Sequence, residues 1–241
     1  MEKNIKITLI TCLLAVALVF LLTYLRVTGT QTAEAPAAVT LSAEELRELG
    51  ALVYEEPVVL QPFSLLDHQG QAFTQGSLTG GWSLIFFGFT SCPDICPLTL
   101  AELSQFYKNL PMDTLAKDTK VIMVSVDPER DTAERLAEYM GSFHEDFVGV
   151  NGPYAEVAAL ARQLFIAHSP PPALTSSADE HAGHGAQASA DTPVDTPESY
   201  MIDHSGNVLI INPEGRYHGF FDAAIQDREL TQAYAAIRAA Y

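Results

Sequence analysis

Cys92 and Cys96 lie in the segment Phe86-Phe-Gly-Phe-Thr-Ser-Cys-Pro-Asp-Ile-Cys96-Pro97, with three residues between them. The only other cysteine, Cys12, sits in an apolar run near the N-terminus. Outside the cytoplasm an idle thiol is a liability, so a close pair reads as a disulfide, a redox centre or a metal site. The pair falls where an apolar run gives way to helical spacing, on a strand-to-helix turn. Unpaired N–H groups at a helix N-terminus favour thiolates. Thiolate is both the nucleophile and the soft metal ligand, so this position serves either use. Dithiol oxidoreductases of the thioredoxin type place two residues between their cysteines. Three leave a wider loop that can turn both sulfurs onto one soft ion with room for another ligand. A disulfide is still compatible with that loop.

The surrounding pattern supplies the elements that would hold such a loop. Trp82 to Phe89 is continuously apolar, as in a strand covered on both faces. Leu98 to Leu110 carries Leu100, Leu103, Phe106, Tyr107 and Leu110 at helical spacing. Val121 to Val126 reads as a second buried strand. Asp131-Thr-Ala-Glu134 reads as a capping box opening a helix to about Met140, with Asp131 as the cap. A short strand at Phe147–Val150 and a helix at Pro153–Ile166 follow. Upstream, Phe63–Leu66 and Gln71–Phe73 flank a polar turn and predict a hairpin. Ser42 with Glu45 predicts a capped helix over Leu41–Leu52. Downstream, Tyr200–Ile202 and Val208–Ile211 read as paired strands, Asn212-Pro-Glu-Gly215 as a turn, and Asp227–Ala240 as a closing helix. The alternation predicts an α/β fold whose ligands gather at the C-terminal ends of the strands.

Three motifs in order make the pattern specific. These are Phe-Thr-Ser-Cys92-Pro-Asp-Ile-Cys96-Pro, Val124-Ser-Val-Asp127-Pro-Glu-Arg-Asp131-Thr, and Tyr200-Met-Ile-Asp203-His204-Ser. From about Pro57 to the C-terminus the chain resembles the Sco/SenC family, thioredoxin-fold copper chaperones for cytochrome c oxidase assembly. The resemblance implies a thioredoxin-like fold with an N-terminal hairpin and one copper ion, Cu(I) or Cu(II), held by Cys92, Cys96 and His204. It implies delivery to the binuclear copper centre of the copper-bearing oxidase subunit. Other periplasmic copper chaperones and thiol reductants are then further expected partners. The protein would be a metallochaperone, not an enzyme. The alternative is a thiol–disulfide oxidoreductase that keeps the oxidase's copper-ligand cysteines reduced. A peroxiredoxin-type site fits poorly, because positions 87 to 91 read Phe-Gly-Phe-Thr-Ser and lack the upstream proline.

Asp203 beside His204 is a candidate to orient the imidazole. Asp127 and Asp131 match the family's paired aspartates and are candidates for docking or second-sphere roles. Ser169 to Glu198 is rich in Pro, Ala, Ser, Thr and Asp and reads as a flexible insertion over 169–198. Its His181 and His184, near Asp179 and Glu180, form a weak auxiliary metal candidate. His68, His144, His168 and His218 fall in or beside turns and helix ends and read as surface residues.

Residues 7–25 carry no charge and are almost wholly apolar. At helical rise they span about 28 Å, close to a bilayer core. Lys3 and Lys6 precede the run, which favours a cytoplasmic N-terminus. Residues 1–27 are thus expected to be a single transmembrane anchor, with a signal sequence as the alternative, in a bacterial cytoplasmic membrane. Residues 28–56 read as a tether with a short helix, and 57–241 as the periplasmic copper-binding domain. The net charge of −17 excludes nucleic acid as a partner, since phosphate neutralisation needs the opposite sign.

Overall fold

A computed structural model describes residues 13–22, 41–111, 114–166, 206–223 and 225–241. The chain divides into two compact units, 1–40 and 41–241. In the first, residues 13–22 are helical and their large apolar side chains are exposed. Among the described residues no helix is long and apolar enough to cross a membrane. The ends of the apolar run 7–25 lie outside them, as do the insertion 169–198, His181, His184 and the segment Tyr200–Ser205 with Asp203 and His204.

The second unit is an eight-stranded sheet in the order β1-β8-β7-β4-β5-β6-β2-β3. Its centre is β4 (Trp82–Gly88), buried at every position, as the unbroken apolar run requires. β5 (Thr119–Ser125) pairs with it in parallel, from Trp82↔Thr119 to Gly88↔Ser125. β6 (Val148–Asn151) continues the parallel set. The hairpin of β2 (Ser64–Asp67) and β3 (Ala72–Thr74) then adds antiparallel to β6. Asp67 Oδ1 closes its turn by accepting from the amides of Gln69 and Gln71 at 2.9 and 2.8 Å. On the other side β4 meets β7 (Val208–Ile211), which turns into β8 (Arg216–Phe221).

Five helices accompany the sheet in the described part: α1 (Ala43–Glu48), α2 (Ile95–Asn109), α3 (Ala133–Gly141), α4 (Tyr154–Gln163) and α5 (Asp227–Ala240). The capping box of Ser42 and Glu45 opens α1. That helix ends at Glu48, not Leu52, because β1 (Ala51–Val59) begins there and pairs with β8. Sequence reading placed a tether over these residues and began the domain near Pro57. Glu55, Glu56 and Pro57 argue against a central strand, but β1 is an edge strand with a register shift between Val53 and Val58. Pro is tolerated at such an edge. Pro153 caps α4 and precedes its first turn.

Thr132, not Asp131, caps α3: its side chain accepts from the Arg135 amide at 3.3 Å. The Asp131 carboxylate is fully buried and committed elsewhere. Three histidines are also not plain surface groups. His68 Nδ1 accepts from the Gly149 amide at 2.9 Å, pinning β6 to the hairpin. His144 lies 4.8 Å from the Tyr107 ring. His218 stands edge-on to Trp82 at 5.4 Å and to Tyr241 at 5.7 Å.

Candidate metal centre

The cysteine loop hangs from the C-terminal end of β4. Its turn is closed by the Cys92 amide donating to Phe89 O at 3.2 Å, and α2 begins at Ile95. Cys92 is 8% exposed and Cys96 is fully buried. The two are not joined in a disulfide. They share a hydrogen bond, so both sulfurs sit at one spot.

Burial, followed by that hydrogen bond, pushes the Cys96 thiol well above its ordinary range. A hydrogen bond with the Phe89 backbone pulls the other way and does not win. The helix N-terminus was expected to favour thiolate here. Cys96 is the second residue of α2, but desolvation outweighs that favourable position. Without a cation Cys96 is therefore held as a thiol. A soft cation that binds it must displace the proton.

Gly88 makes room for this arrangement. A Cβ there would lie 3.1 Å from Cys96 Sγ and 2.7 Å from the Phe86 ring. A glycine inside a strand marks such a close approach, and Phe-Gly-Phe in the β4 run was the available signal. Gly206 plays the matching part across the loop. Its Cβ would lie 3.3 Å from Ile95 Cγ1 and 2.9 Å from Ala223 Cβ. The chain just past His204 thus rests against Ile95, between the two cysteines.

The paired aspartates anchor the loop from below. Asp131 Oδ1 accepts from Thr90 Oγ1 at 2.5 Å, and Oδ2 accepts from the Thr90 amide at 3.1 Å and from Ser125 Oγ at 2.6 Å. Burial raises the Asp131 carboxyl above its ordinary value, and the Ser125 and Thr90 hydrogen bonds oppose this. Asp127 is fully buried and paired with Arg130, whose guanidinium lies 5.8 Å over the Phe89 ring. Arg135 Nη2 donates to Ser91 Oγ at 2.9 Å. Phe89, Thr90 and Ser91 are therefore each held by the β5–α3 segment. Sequence reading found both aspartates but not Thr90 and Ser125, whose hydroxyls carry no distinguishing pattern.

The structure brings together Cys92, Cys96 and, through Thr90, Asp131. Among the described residues no group of three or more His, Cys, Asp or Glu could hold a metal ion. His204, Asp203, His181 and His184 lie outside those residues.

A family model described as SCO1/SenC matches residues 53–239. The human "Protein SCO1 homolog, mitochondrial" is 31% identical over 195 residues, 81% of this chain and 56% of that protein. The bovine "Protein SCO2 homolog, mitochondrial" is 30% identical over 179 residues, 74% of this chain and 59% of that one. The chain thus spans little more than half the length of these relatives. The crystal structure of yeast Sco1 with copper bound superposes with a TM-score of 0.63 at 26% identity, covering 77% of this chain and 91% of that one. The copper-bound ScoI of Arabidopsis thaliana gives 0.59 at 28% identity, covering 75% and 98%. The mixed α/β sheet is consistent with thioredoxin-like Sco structures, and the chain belongs to the SCO1/SenC family.

Proposed function

We propose that the domain binds one copper ion through Cys92, Cys96 and His204 and delivers it to the binuclear copper centre of cytochrome c oxidase. The observation that carries this reading is the buried thiol pair, hydrogen-bonded sulfur to sulfur under Gly88, with Gly206 packed on the intervening Ile95. His204 precedes Gly206 by two residues in the sequence. Two thiolates and an imidazole suit Cu(I), and with an added oxygen donor they hold Cu(II). Copper bound in the yeast and Arabidopsis relatives supports the same cargo here. The copper-bearing oxidase subunit is the recipient, and other copper chaperones or thiol reductants load and reduce the site. Residues 7–25 anchor the domain to a bacterial membrane, N-terminus inside and domain in the periplasm. The exposed apolar side chains of 13–22 support that placement.

Copper content and absorption of the domain from Leu41 onward test the ligand set. Wild type is expected to hold one copper per chain with a thiolate-to-Cu(II) band. Cys92→Ala and Cys96→Ala lose the metal, and His204→Ala loses or shifts the band. Unchanged copper in both cysteine variants would sink the proposal.

One observation also favours a second use of the pair. Thiols already in hydrogen-bond contact can close to a disulfide with little backbone movement. In that use the domain reduces the oxidase's copper-ligand cysteines. His204→Ala separates the two: delivery fails, whereas dithiol exchange survives.

A further inference from the structure

A cleft of about 410 Å³ opens where β4 and β5 begin, lined by Thr79, Gly80, Gly81, Lys117, Asp118 and Lys120. Trp82 pairs with Thr119 there, whereas the cysteine loop follows the Gly88↔Ser125 pair. The strand rise over Trp82–Gly88 puts about 20 Å between the two ends. The chain has 30 Asp and Glu against 13 Lys and Arg, and its only lysines from Leu41 on are Lys108, Lys117 and Lys120. Two of those three line this cleft. Lys120 Nζ donates to Ser77 O at 3.0 Å, which fixes where its ammonium stands and leaves it further donors. The acid among these residues, Asp118, is neutralised by Arg238, whose Nη2 donates to Oδ2 at 3.0 Å. Asp118 Oδ1 is shielded from water and has no hydrogen-bond partner among the described residues. A shielded acceptor of this kind calls for a donor. A Cβ on Gly81 would lie 2.7 Å from Asp118 O, so glycine is what lets the entry to β4 close on the Asp118 segment. Gly80, at φ +83°, has nothing within 4 Å of where a Cβ would stand, so the backbone there faces open space.

The cleft therefore offers two ammonium groups and one unmet acceptor. A bare inorganic anion answers the first and is repelled by the second. A phosphate ester with a hydroxyl on a neighbouring carbon answers both. We propose that this cleft binds a glycerophosphate group, as a free ester or as the headgroup of an anionic phospholipid. The phosphate oxygens accept from Lys117 and Lys120, and a glycerol hydroxyl donates to Asp118 Oδ1. The site is separate from the copper reading and does not rest on it.

The full chain in micelles of a neutral detergent is titrated with glycerol 3-phosphate, dihexanoyl phosphatidylglycerol, methyl phosphate and inorganic phosphate, while the amide resonances of Gly80 and Gly81 are followed. Saturable shifts are expected with a glycerol ester, at an affinity about fivefold above methyl phosphate, the worth of one hydrogen bond. Tighter binding of the lipid than of the free ester assigns the site to a headgroup, and the reverse assigns it to a soluble ester; both support the glycerophosphate chemistry. Lys117→Gln and Lys120→Gln are each expected to weaken binding about fivefold, as for one exposed charge contact, and added salt weakens it further. Copper content stays the same in both variants. Lys108→Gln removes the same charge elsewhere and should leave the shifts in place. Absence of saturable shifts with either glycerol ester overturns the proposal. So does inorganic phosphate binding as tightly as the esters, since any anion would then serve. An equal loss in Lys108→Gln overturns it as well, because overall charge would then explain the effect.

Discussion

The two ends of β4 are built from opposite materials. At the C-terminal end the buried groups include polar ones: two thiols, two carboxylates and Ser125, with half-buried Thr90 bonded to Asp131. At the N-terminal end Trp82 is surrounded by aromatic rings, with Tyr241 at 5.0 Å, His218 at 5.4 Å and Tyr234 at 6.2 Å. Arg238 lies over Trp82 at 5.4 Å and pairs with Asp118 at 3.0 Å. Aromatic burial stabilises in proportion to the area removed from water. Buried polar groups contribute little net stability but fix one arrangement, since every donor must keep its acceptor. One end of the strand therefore holds the domain together, and the other holds a loop in place.

The sharpest way to break this contrast is to remove Trp82. The ring is 2% exposed and touches β8, α5 and the C-terminal residue. Trp82→Ala is expected to cost about 3–5 kcal/mol in urea unfolding. At temperatures where the variant is still folded, copper stoichiometry should be unchanged. Loss of copper from a folded Trp82→Ala domain would show that the two ends are not separate in function.

Gly88→Ala probes the other end. The added methyl must displace the Phe86 ring and meets Cys96 Sγ. Overpacking of this kind costs about 1–3 kcal/mol. The effect on the site should be larger than the effect on stability, because the sulfur is pushed off its hydrogen bond with Cys92. Weakened copper binding with only modest destabilisation is the expected result. Full destabilisation with intact copper binding would mean that the loop follows the strand rigidly.

The same division explains what the sequence could show. β4 and β5 were legible because strands buried on both faces leave unbroken apolar runs. The cysteine loop was legible because Cys, Pro and a strand-to-helix change coincide there. β1 was hidden by Glu55, Glu56 and Pro57, which only an edge strand accepts. β8 was hidden by His218 and Gly219, which interrupt its apolar alternation. Asp131 and Thr132 are equally good caps by residue type. Thr132 takes the role because Thr90 and Ser125, distant in sequence, claim the Asp131 carboxylate. Local pattern cannot report a partner that only the folded sheet brings near. That is also why the burial penalty on Cys96 was invisible while its place at a helix start was not.

His218 gives the smallest expected effect and the finest test of the aromatic end. It sits on β8 between Trp82 and Tyr241, with Nδ1 buried and without a hydrogen-bond partner among the described residues. Burial lowers its pKa below the ordinary 6.5, and the Glu214 carboxylate opposes that shift. Folding thus favours the neutral ring. The stability it contributes is complete above pH 6.5 and is lost as pH falls through the lower, folded value. His218→Phe keeps an aromatic ring between the same neighbours and removes the titration. Thermal unfolding of wild type should show a decline in midpoint below pH 6.5 that is shallower in the variant, with the two curves parallel at neutral pH. Identical acid limbs would place the acid sensitivity elsewhere, and Asp131 is not a substitute explanation. A carboxyl whose pKa is raised by folding gains stability on acidification, so its titration would bend the curve in the opposite direction.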